Sequence, residues 1–226
     1  MINILVSRKS KLLEPQMVSK IKPMIQADDK VAILGFSFFE KQIKNKEDWE
    51  NYYGVNTEYH NDCQLIFTQL GIKSENIVWL NYFKHTKETL IKIINESQVL
   101  FLPGGAPDEM MERIHEKEIT ETLENFDGLV IGSSAGAMIQ FNYFHISKDN
   151  DYKAFNICDG LGYLKDFSIE VHYKRKKVQK SGMKKASKIF KRDVYILPDD
   201  AAIVCEKDQI TLMDGARKIY HKGKKI

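Results

Sequence analysis

Short apolar runs alternate with longer amphipathic segments over the first half of the chain. The runs are rich in Val, Ile, Leu and Phe with little polar alternation, which is typical of strands covered on both faces of a sheet. This pattern predicts strands at 2–6, 30–36, 76–81, 98–102 and 128–132. The alternation of strands with helices indicates an α/β fold.

The segments between these runs are predicted to be helices. They cover residues 14–27, 46–70, 87–95 and 107–125. Pro107 suits a first helical turn, where its missing N–H costs nothing, and Asp108 and Glu109 lie where the helix dipole favours negative charge. Both features predict that a helix begins at residue 107.

The pattern changes after residue 134. A short helix is expected there, followed by strands at 167–171, 194–197, 201–205 and 210–213. Residues 201–213 suggest a hairpin that turns near Lys207 and Asp208. The sheet is therefore expected to be mixed, with a parallel centre and an antiparallel edge.

Length and composition favour one globular unit. The chain has 226 residues, of which 43% are hydrophobic and 29% charged, and no Pro-, Gly- or Ser-rich linker divides it, so a single domain over residues 1–226 is expected. No signal peptide or apolar run of bilayer length is found, which favours a soluble cytoplasmic protein with no membrane partner. Cys63, Cys158 and Cys205 form no CxxC pair, and all three are interpreted as buried small apolar residues.

A basic run follows residue 173, while the net charge of the whole chain is only +3. It could bind nucleic acid, but Val178, Ala186, Ile189 and Phe190 fall near helical spacing within it. We therefore interpret the run as an amphipathic helix with a solvated basic face, and expect no nucleic-acid partner.

The sequence Gly132-Ser133-Ser134-Ala135-Gly136 follows the predicted strand 128–132 directly and fits the pattern G-x-S-x-G. In a tight turn between a strand and a helix, Ser134 would project its hydroxyl from the carboxyl end of the sheet and act as a nucleophile. The alternative is a plain turn in which the serine caps a helix.

Two backbone N–H groups are needed beside such a nucleophile to stabilise an oxyanion. The N–H of Ala135 lies at the start of the helix that follows Ser134. The glycines of Leu102-Pro103-Gly104-Gly105 allow close approach of a second N–H, for which Gly105 is the first candidate and Gly104 the next.

A serine nucleophile needs a base, which is usually a histidine oriented by a carboxylate. His172 ends the predicted strand 167–171 and precedes the basic helix, a strand-to-helix junction like that of Ser134, and such junctions converge on one edge of an α/β sheet. Asp199 or Asp200, which follow the predicted strand 194–197, are the candidate acids. His145 could also lie near Ser134.

The order serine, histidine, acid differs from that of α/β-hydrolases, in which the acid precedes the histidine. His221 would restore that order, but it lies in a lysine-rich tail and is a poor candidate.

These motifs resemble the peptidase S51 family, which contains dipeptidase E and cyanophycinase. The segments that carry the resemblance are Gly132 to Ala137, Val171-His172-Tyr173 and Leu197-Pro198-Asp199. It implies a three-layer α/β sandwich with a mostly parallel central sheet, of the flavodoxin-like or class I glutamine amidotransferase-like kind. It also implies a serine peptidase with the triad Ser134, His172 and Asp199, the oxyanion donors Gly105 and Ala135, an acyl-enzyme intermediate, and no metal or other cofactor.

The expected partner is a small peptide substrate, with Asp-containing peptides among the candidates. Gly104 and Arg175 are the candidate substrate-binding residues, since basic groups after His172 would suit an acidic substrate. The chain has Ala106-Pro107 where the family continues its double glycine with Asn-Thr, and Asp199 where dipeptidase E has glutamate. The resemblance therefore implies the serine mechanism but does not identify the substrate. The alternatives are a non-peptidase esterase or amidase, and a catalytically silent binding protein.

Overall fold

The computed structural model describes residues 1–207 and 209–226. The strands are β1 (Ile2–Val6), β2 (Val31–Gly35), β3 (Ile77–Asn81), β4 (Val99–Leu102), β5 (Leu129–Ser133), β6 (Tyr143–Ile146), β7 (Asn156–Asp159), β8 (Phe167–Val171), β9 (Asp193–Leu197), β10 (Ala202–Glu206), β11 (Gln209–Met213), β12 (Arg217–His221) and β13 (Lys224–Lys225). The α-helices are α1 (Pro15–Ile21), α2 (Lys46–Tyr53), α3 (Glu58–Leu70), α4 (Lys87–Asn95), α5 (Pro107–Glu116), α6 (Thr120–Glu124), α7 (Ala135–Met138) and α8 (Lys177–Phe190).

A seven-stranded sheet forms the centre of the fold, with the strand order β11-β10-β1-β5-β4-β2-β3. The five strands from β1 to β3 in that order pair in parallel, whereas β10 pairs antiparallel with both β1 and β11. The predicted α/β class, with a parallel centre and an antiparallel edge, is confirmed. The predicted hairpin is formed by β10 and β11, and Asp208, near which the turn was predicted, lies outside the described residues.

Helices cover both faces of this sheet, which makes the fold a three-layer sandwich. On one face, α1 and α3 bury Met17, Ile21 and Phe67 against β1, β2 and β4. On the other face, α4 and α5 bury Leu90 and Met110 against the same sheet. Burial on both faces explains why these strands are apolar runs without alternation.

A second sheet of four strands, in the order β13-β12-β9-β8, packs beside the first. The expectation that the junctions after residues 171 and 197 lie on the edge of one common sheet is therefore wrong. The main sheet ends at β11 and β3, whereas β8 and β9 pair in parallel with each other within the second sheet. Phe167, Ile169 and Leu197 pack against Leu5 and Ile203 of the main sheet.

The single helix predicted over residues 46–70 is in fact two helices. Gly54 ends α2, and the side chain of Thr57 caps α3 by accepting a hydrogen bond from the N–H of His60. A glycine followed closely by a capping threonine ends one helix and begins the next, which the apolar spacing alone did not reveal.

The segment 107–125 is likewise divided, because Glu118 adopts a left-handed conformation with φ 54° between α5 and α6. The basic helix is confirmed as α8, but its buried face differs from the prediction. Met183 and Ala186 are buried, whereas Val178 and Ile189 are exposed.

Cys63 and Cys205 are buried, and burial raises the pKa of each thiol to about 12. Cys158 is only partly buried, because it lies on β7 of a two-stranded sheet formed with β6, which corrects the prediction for that residue. Over residues 1–207 and 209–226, no helix combines the length and the hydrophobicity that crossing a membrane requires.

The turn from β5 into α7 depends on a close backbone contact. A Cβ atom added to Gly136 would lie 1.8 Å from the carbonyl oxygen of Leu102 at the end of β4. The N–H of Gly136 also donates to the carbonyl of Pro103, at 3.1 Å. Only glycine lets α7 approach β4 this closely, so Gly136 determines where the helix begins relative to the sheet.

We expect Gly136→Ala to destabilise the protein by about 3 kcal/mol or more, because the methyl group must push α7 away from buried backbone. Gly71→Ala is the control. Gly71 has φ 104° and nothing within 4 Å of an added Cβ. Its substitution should therefore lower the free energy of unfolding only by the strain of holding an alanine in a left-handed conformation, about 1–2 kcal/mol. Urea unfolding measures both free energies, and equal losses would contradict the packing argument.

Candidate active site

Ser134 lies in a strained turn between β5 and α7. Its backbone has φ 50° and ψ −110°, a conformation that non-glycine residues rarely adopt. The Ser134 N–H donates to the carbonyl of Val6 at 2.8 Å, and the Ser134 carbonyl accepts from the N–H groups of Ala137 and Met138. These bonds hold the turn, so that the hydroxyl projects from the carboxyl end of β5 and keeps partial access to solvent.

His172 reaches the same point from the second sheet. It follows β8 directly and also has a left-handed backbone, with φ 51°. Its Nε2 atom lies 2.9 Å from the Ser134 hydroxyl oxygen. Its backbone N–H donates to the Ser7 hydroxyl at 3.0 Å, which anchors the histidine to the end of β1.

Asp199 completes a chain of hydrogen bonds. Its Oδ1 atom lies 2.6 Å from Nδ1 of His172, while Oδ2 contacts Arg8 at 3.0 Å and Lys174 at 3.3 Å. Burial alone would raise the pKa of this carboxyl, but the hydrogen bonds from Arg8, His172 and Lys174 outweigh it and hold the pKa well below its usual value. Asp199 is therefore ionised at neutral pH.

Between the two candidate acids, the geometry favours Asp199. Asp200 is exposed, and its side chain makes no hydrogen bond or ion pair with any residue in 1–207 or 209–226. A carboxylate that meets only water cannot orient the imidazole.

The arrangement can activate the serine hydroxyl. With Asp199 ionised, Nδ1 of His172 keeps its proton and donates a hydrogen bond to the carboxylate, which leaves Nε2 free to accept the proton of Ser134. The carboxylate then stabilises the imidazolium that forms when the serine attacks an electrophile.

The two predicted oxyanion donors both belong to segments next to Ser134. Ala135 follows Ser134 and begins α7, and Gly105 lines the same cavity as Ser134. Among the residues that the structure describes, neither the Ala135 N–H nor the Gly105 N–H is used in a hydrogen bond. Two unused N–H groups beside a nucleophile can donate hydrogen bonds to an oxygen on which negative charge develops.

The loop that carries Gly105 is held by Ser37. The Ser37 hydroxyl donates to the carbonyl of Gly104 at 2.9 Å, and the Ser37 carbonyl accepts from Ala106 at 2.6 Å. Gly105 has φ 150°, and a Cβ there would lie 1.7 Å from the Ser37 oxygen. Gly104 lies beside Ser134, since its own Cβ would be 3.2 Å from the serine Cβ.

The cavity beside Ser134 has a volume of about 320 Å³. Lys174 and Lys176 line it, but Arg175 between them, whose backbone is left-handed with φ 58°, does not. As a candidate for contacts with substrate, Arg175 is thus placed less favourably than its two neighbours.

Ser7 and Arg8 were not among the predicted site residues, yet they bind the backbone of His172 and the carboxylate of Asp199 respectively. Both follow β1 directly. The rule that drew attention to Ser134 and His172, polar residues just after an apolar strand, would have found them.

The other two candidate bases, His145 and His221, are hydrogen-bonded to other residues. His145 is buried on β6, where its Nε2 donates to Glu170 at 2.8 Å. His221 is exposed and bonded to Asp193, at 2.8 Å. Neither makes a hydrogen bond with Ser134.

A comparison with protein families gives a match over most of the chain. The family model described as Peptidase family S51 matches residues 52–213, more than half of the chain, and this range includes Ser134, His172 and Asp199. No curated protein matches the chain.

Two solved structures have a similar fold. One is a proposed peptidase E protein from Listeria monocytogenes EGD-e, with a TM-score of 0.65 and 16% identity, covering 94% of this chain and 97% of that one. The other is a peptidase from an acI-B1 Actinobacterium, with a TM-score of 0.58 and 12% identity, covering 100% of this chain and 96% of that one. At sequence identities of 16% and 12%, the similarity of these two structures to the chain shows a shared fold only.

The hydrogen bond between Asp199 and His172 can be tested by replacing the carboxylate with an amide. We expect Asp199→Asn to slow covalent labelling of Ser134 by an alkyl fluorophosphonate by roughly 10²- to 10⁴-fold, because the amide no longer holds His172 in the tautomer that accepts the serine proton. Asp200→Asn is the matched control and should label within about threefold of the wild type. Labelling rates followed by intact-protein mass spectrometry measure both, and a larger loss in the control would assign the acid to Asp200.

Proposed function

The chain belongs to peptidase family S51, and from this premise we propose that it is a serine peptidase that hydrolyses small peptides through Ser134, His172 and Asp199. The observation that carries the proposal is the pair of contacts at His172, 2.9 Å from Nε2 to the serine hydroxyl and 2.6 Å from Nδ1 to the carboxylate. The strained turn at Ser134 and the two unused N–H groups beside it support the same chemistry.

In the proposed reaction, Ser134 attacks the carbonyl carbon of the scissile bond while His172 takes its proton. The negative charge that develops on the carbonyl oxygen is held by the N–H groups of Gly105 and Ala135. The amine product leaves with the proton carried by His172, and an acyl ester remains on Ser134. Water, deprotonated by His172, hydrolyses this ester and restores the hydroxyl. Each step uses groups of the chain itself and water.

The cavity supports small peptides as the substrate class. Its volume of about 320 Å³ lies at the lower end of the range for small-molecule sites. Lys174 and Lys176 line one part of it, where they could attract an acidic group of the substrate, so Asp-containing dipeptides are among the candidates. Lys174 is already paired with Asp199, which leaves Lys176 the more available of the two.

The test compares peptide and ester hydrolysis in wild type and variants. We expect the wild type to cleave dipeptides from a panel of Asp-Leu and Leu-Leu, and Ser134→Ala to lower kcat/KM by at least about 10³-fold, because the nucleophile is lost. Ser133→Ala, the neighbouring serine, is the matched control and should retain activity within several-fold. The panel also includes p-nitrophenyl acetate, an aryl ester.

Each result has a distinct meaning. Ester hydrolysis without cleavage of any peptide would favour an esterase or amidase that uses the same serine. Folded wild type that neither cleaves any of these substrates nor reacts with a fluorophosphonate at Ser134 would contradict the serine mechanism and favour a catalytically silent binding protein.

A further inference from the structure

A carboxylate that takes no part in the proposed reaction lines the cavity beside Ser134. Glu170 lies on β8, two residues before His172, and only 5% of its surface is exposed. Two residues along a strand span about 6.5–7 Å. Glu170 therefore lies near His172, in the wall of the cavity that also contains Ser134.

The two oxygens of Glu170 are in different situations. Oε2 accepts hydrogen bonds from Nε2 of His145 and from the hydroxyl of Ser147, both at 2.8 Å. Oε1 accepts none within the described part of the chain, yet it is not among the fully enclosed atoms that lack a partner. The free oxygen therefore keeps access to the cavity.

His145 does not cancel the charge of Glu170. Its Nδ1 atom is buried and has no hydrogen-bond partner among the described residues. A proton on that atom would be a buried charged donor without an acceptor, which is costly. The neutral imidazole, with its proton on Nε2 donated to Glu170, is the form that fits.

Lysine and arginine do not neutralise Glu170 either, since among the described residues none of their nitrogens lies within 4.0 Å of its carboxylate. Burying a carboxylate this deeply with one oxygen unpaired costs folding free energy, unless a further group binds that oxygen. The cavity is where that partner can reach it.

We propose that Glu170 binds a cationic nitrogen of the substrate, an ammonium or guanidinium group held next to the bond that Ser134 attacks. The proposal rests on the proposed peptidase function and narrows its substrate class to peptides that carry such a group. Lys148 and Lys176 line the same cavity without ion pairs to the described residues, so the wall offers both signs of charge to a short zwitterionic peptide. The cationic group can be the free α-ammonium of the first residue or a basic side chain.

The test uses covalent phosphonate probes, which need no known peptide substrate. Ser134 attacks phosphorus in a diphenyl phosphonate, one P–O bond breaks, and phenol leaves with the serine proton. The first probe is diphenyl 1-aminoethylphosphonate, the analogue of alanine, compared with its N-acetyl derivative. The second is the N-acetylated lysine analogue with a free side-chain amine, compared with its norleucine counterpart.

We expect at least one amine-bearing probe to label wild-type Ser134 about tenfold faster or more than its uncharged partner. Glu170→Gln should reduce this preference to about threefold or less, because the amide can still accept from His145 and Ser147 but carries no charge. Glu121→Gln, at an exposed position on α6, is the matched control and should keep the wild-type preference. The pair that shows the preference identifies the source of the cation.

An alkyl fluorophosphonate, which carries no amine, separates the two proposals. If it labels wild-type Ser134 but neither amine-bearing probe is preferred, the role of Glu170 is wrong and the serine mechanism stands. A preference that survives in Glu170→Gln also overturns the role of Glu170. If no probe labels folded wild type, the peptidase proposal itself fails. If Glu170→Gln does not fold, the absence of a wild-type preference for either amine-bearing probe still overturns the role of Glu170.

Discussion

The hydrogen bonds at the end of β1 join the two sheets and determine the geometry of the site. The Ser7 hydroxyl, which is buried, donates to the carbonyl of Leu197 at 2.6 Å and accepts from the N–H of His172 at 3.0 Å. The preceding residue, Val6, accepts from the N–H of Ser134. The nucleophile turn, the histidine and the strand that leads to Asp199 are thus all attached to two adjacent residues. A shift at this point would separate Ser134 from His172, because they belong to different sheets.

Two carboxylates near the hydroxyl differ in their surroundings and therefore in what they can do. Asp199 is surrounded by Arg8, Lys174 and His172, which hold its pKa low and occupy both of its oxygens. Glu170 is more deeply buried, is paired only with a neutral imidazole and a hydroxyl in our interpretation, and keeps one oxygen free. The first arrangement suits a group that orients a base. The second suits a group that receives a charge from outside the protein.

Backbone strain is concentrated at this site. Ser134 and His172 both have positive φ angles, and Gly105 adopts a conformation that its contact with Ser37 makes impossible for any other residue. Such conformations cost free energy and persist only where the surrounding structure enforces them. Here the enforcing contacts are the hydrogen bonds made by the carbonyl of Val6, the hydroxyl of Ser7 and both the hydroxyl and the carbonyl of Ser37. The strain is thus borne by the strand ends, while the regular hydrogen bonding of the sheet is left intact.

The sequence by itself determined the class of fold and the residues that deserve attention. Strands buried on both faces must be apolar throughout, so β1 to β5 were recognisable from composition, and Ser134, His172 and Asp199 stood out because each is polar and follows such a run. Where local chemistry interrupts a long pattern, as at Gly54 and Thr57, the prediction joined two helices into one. Tertiary structure alone decided that β8 and β9 form a separate sheet, because strand pairing joins segments that are distant in the chain. It also decided that Asp199 rather than Asp200 meets His172, and that Glu170 faces the cavity. These are contacts between residues far apart in the chain, and periodicity reports only on the nearest neighbours of each residue.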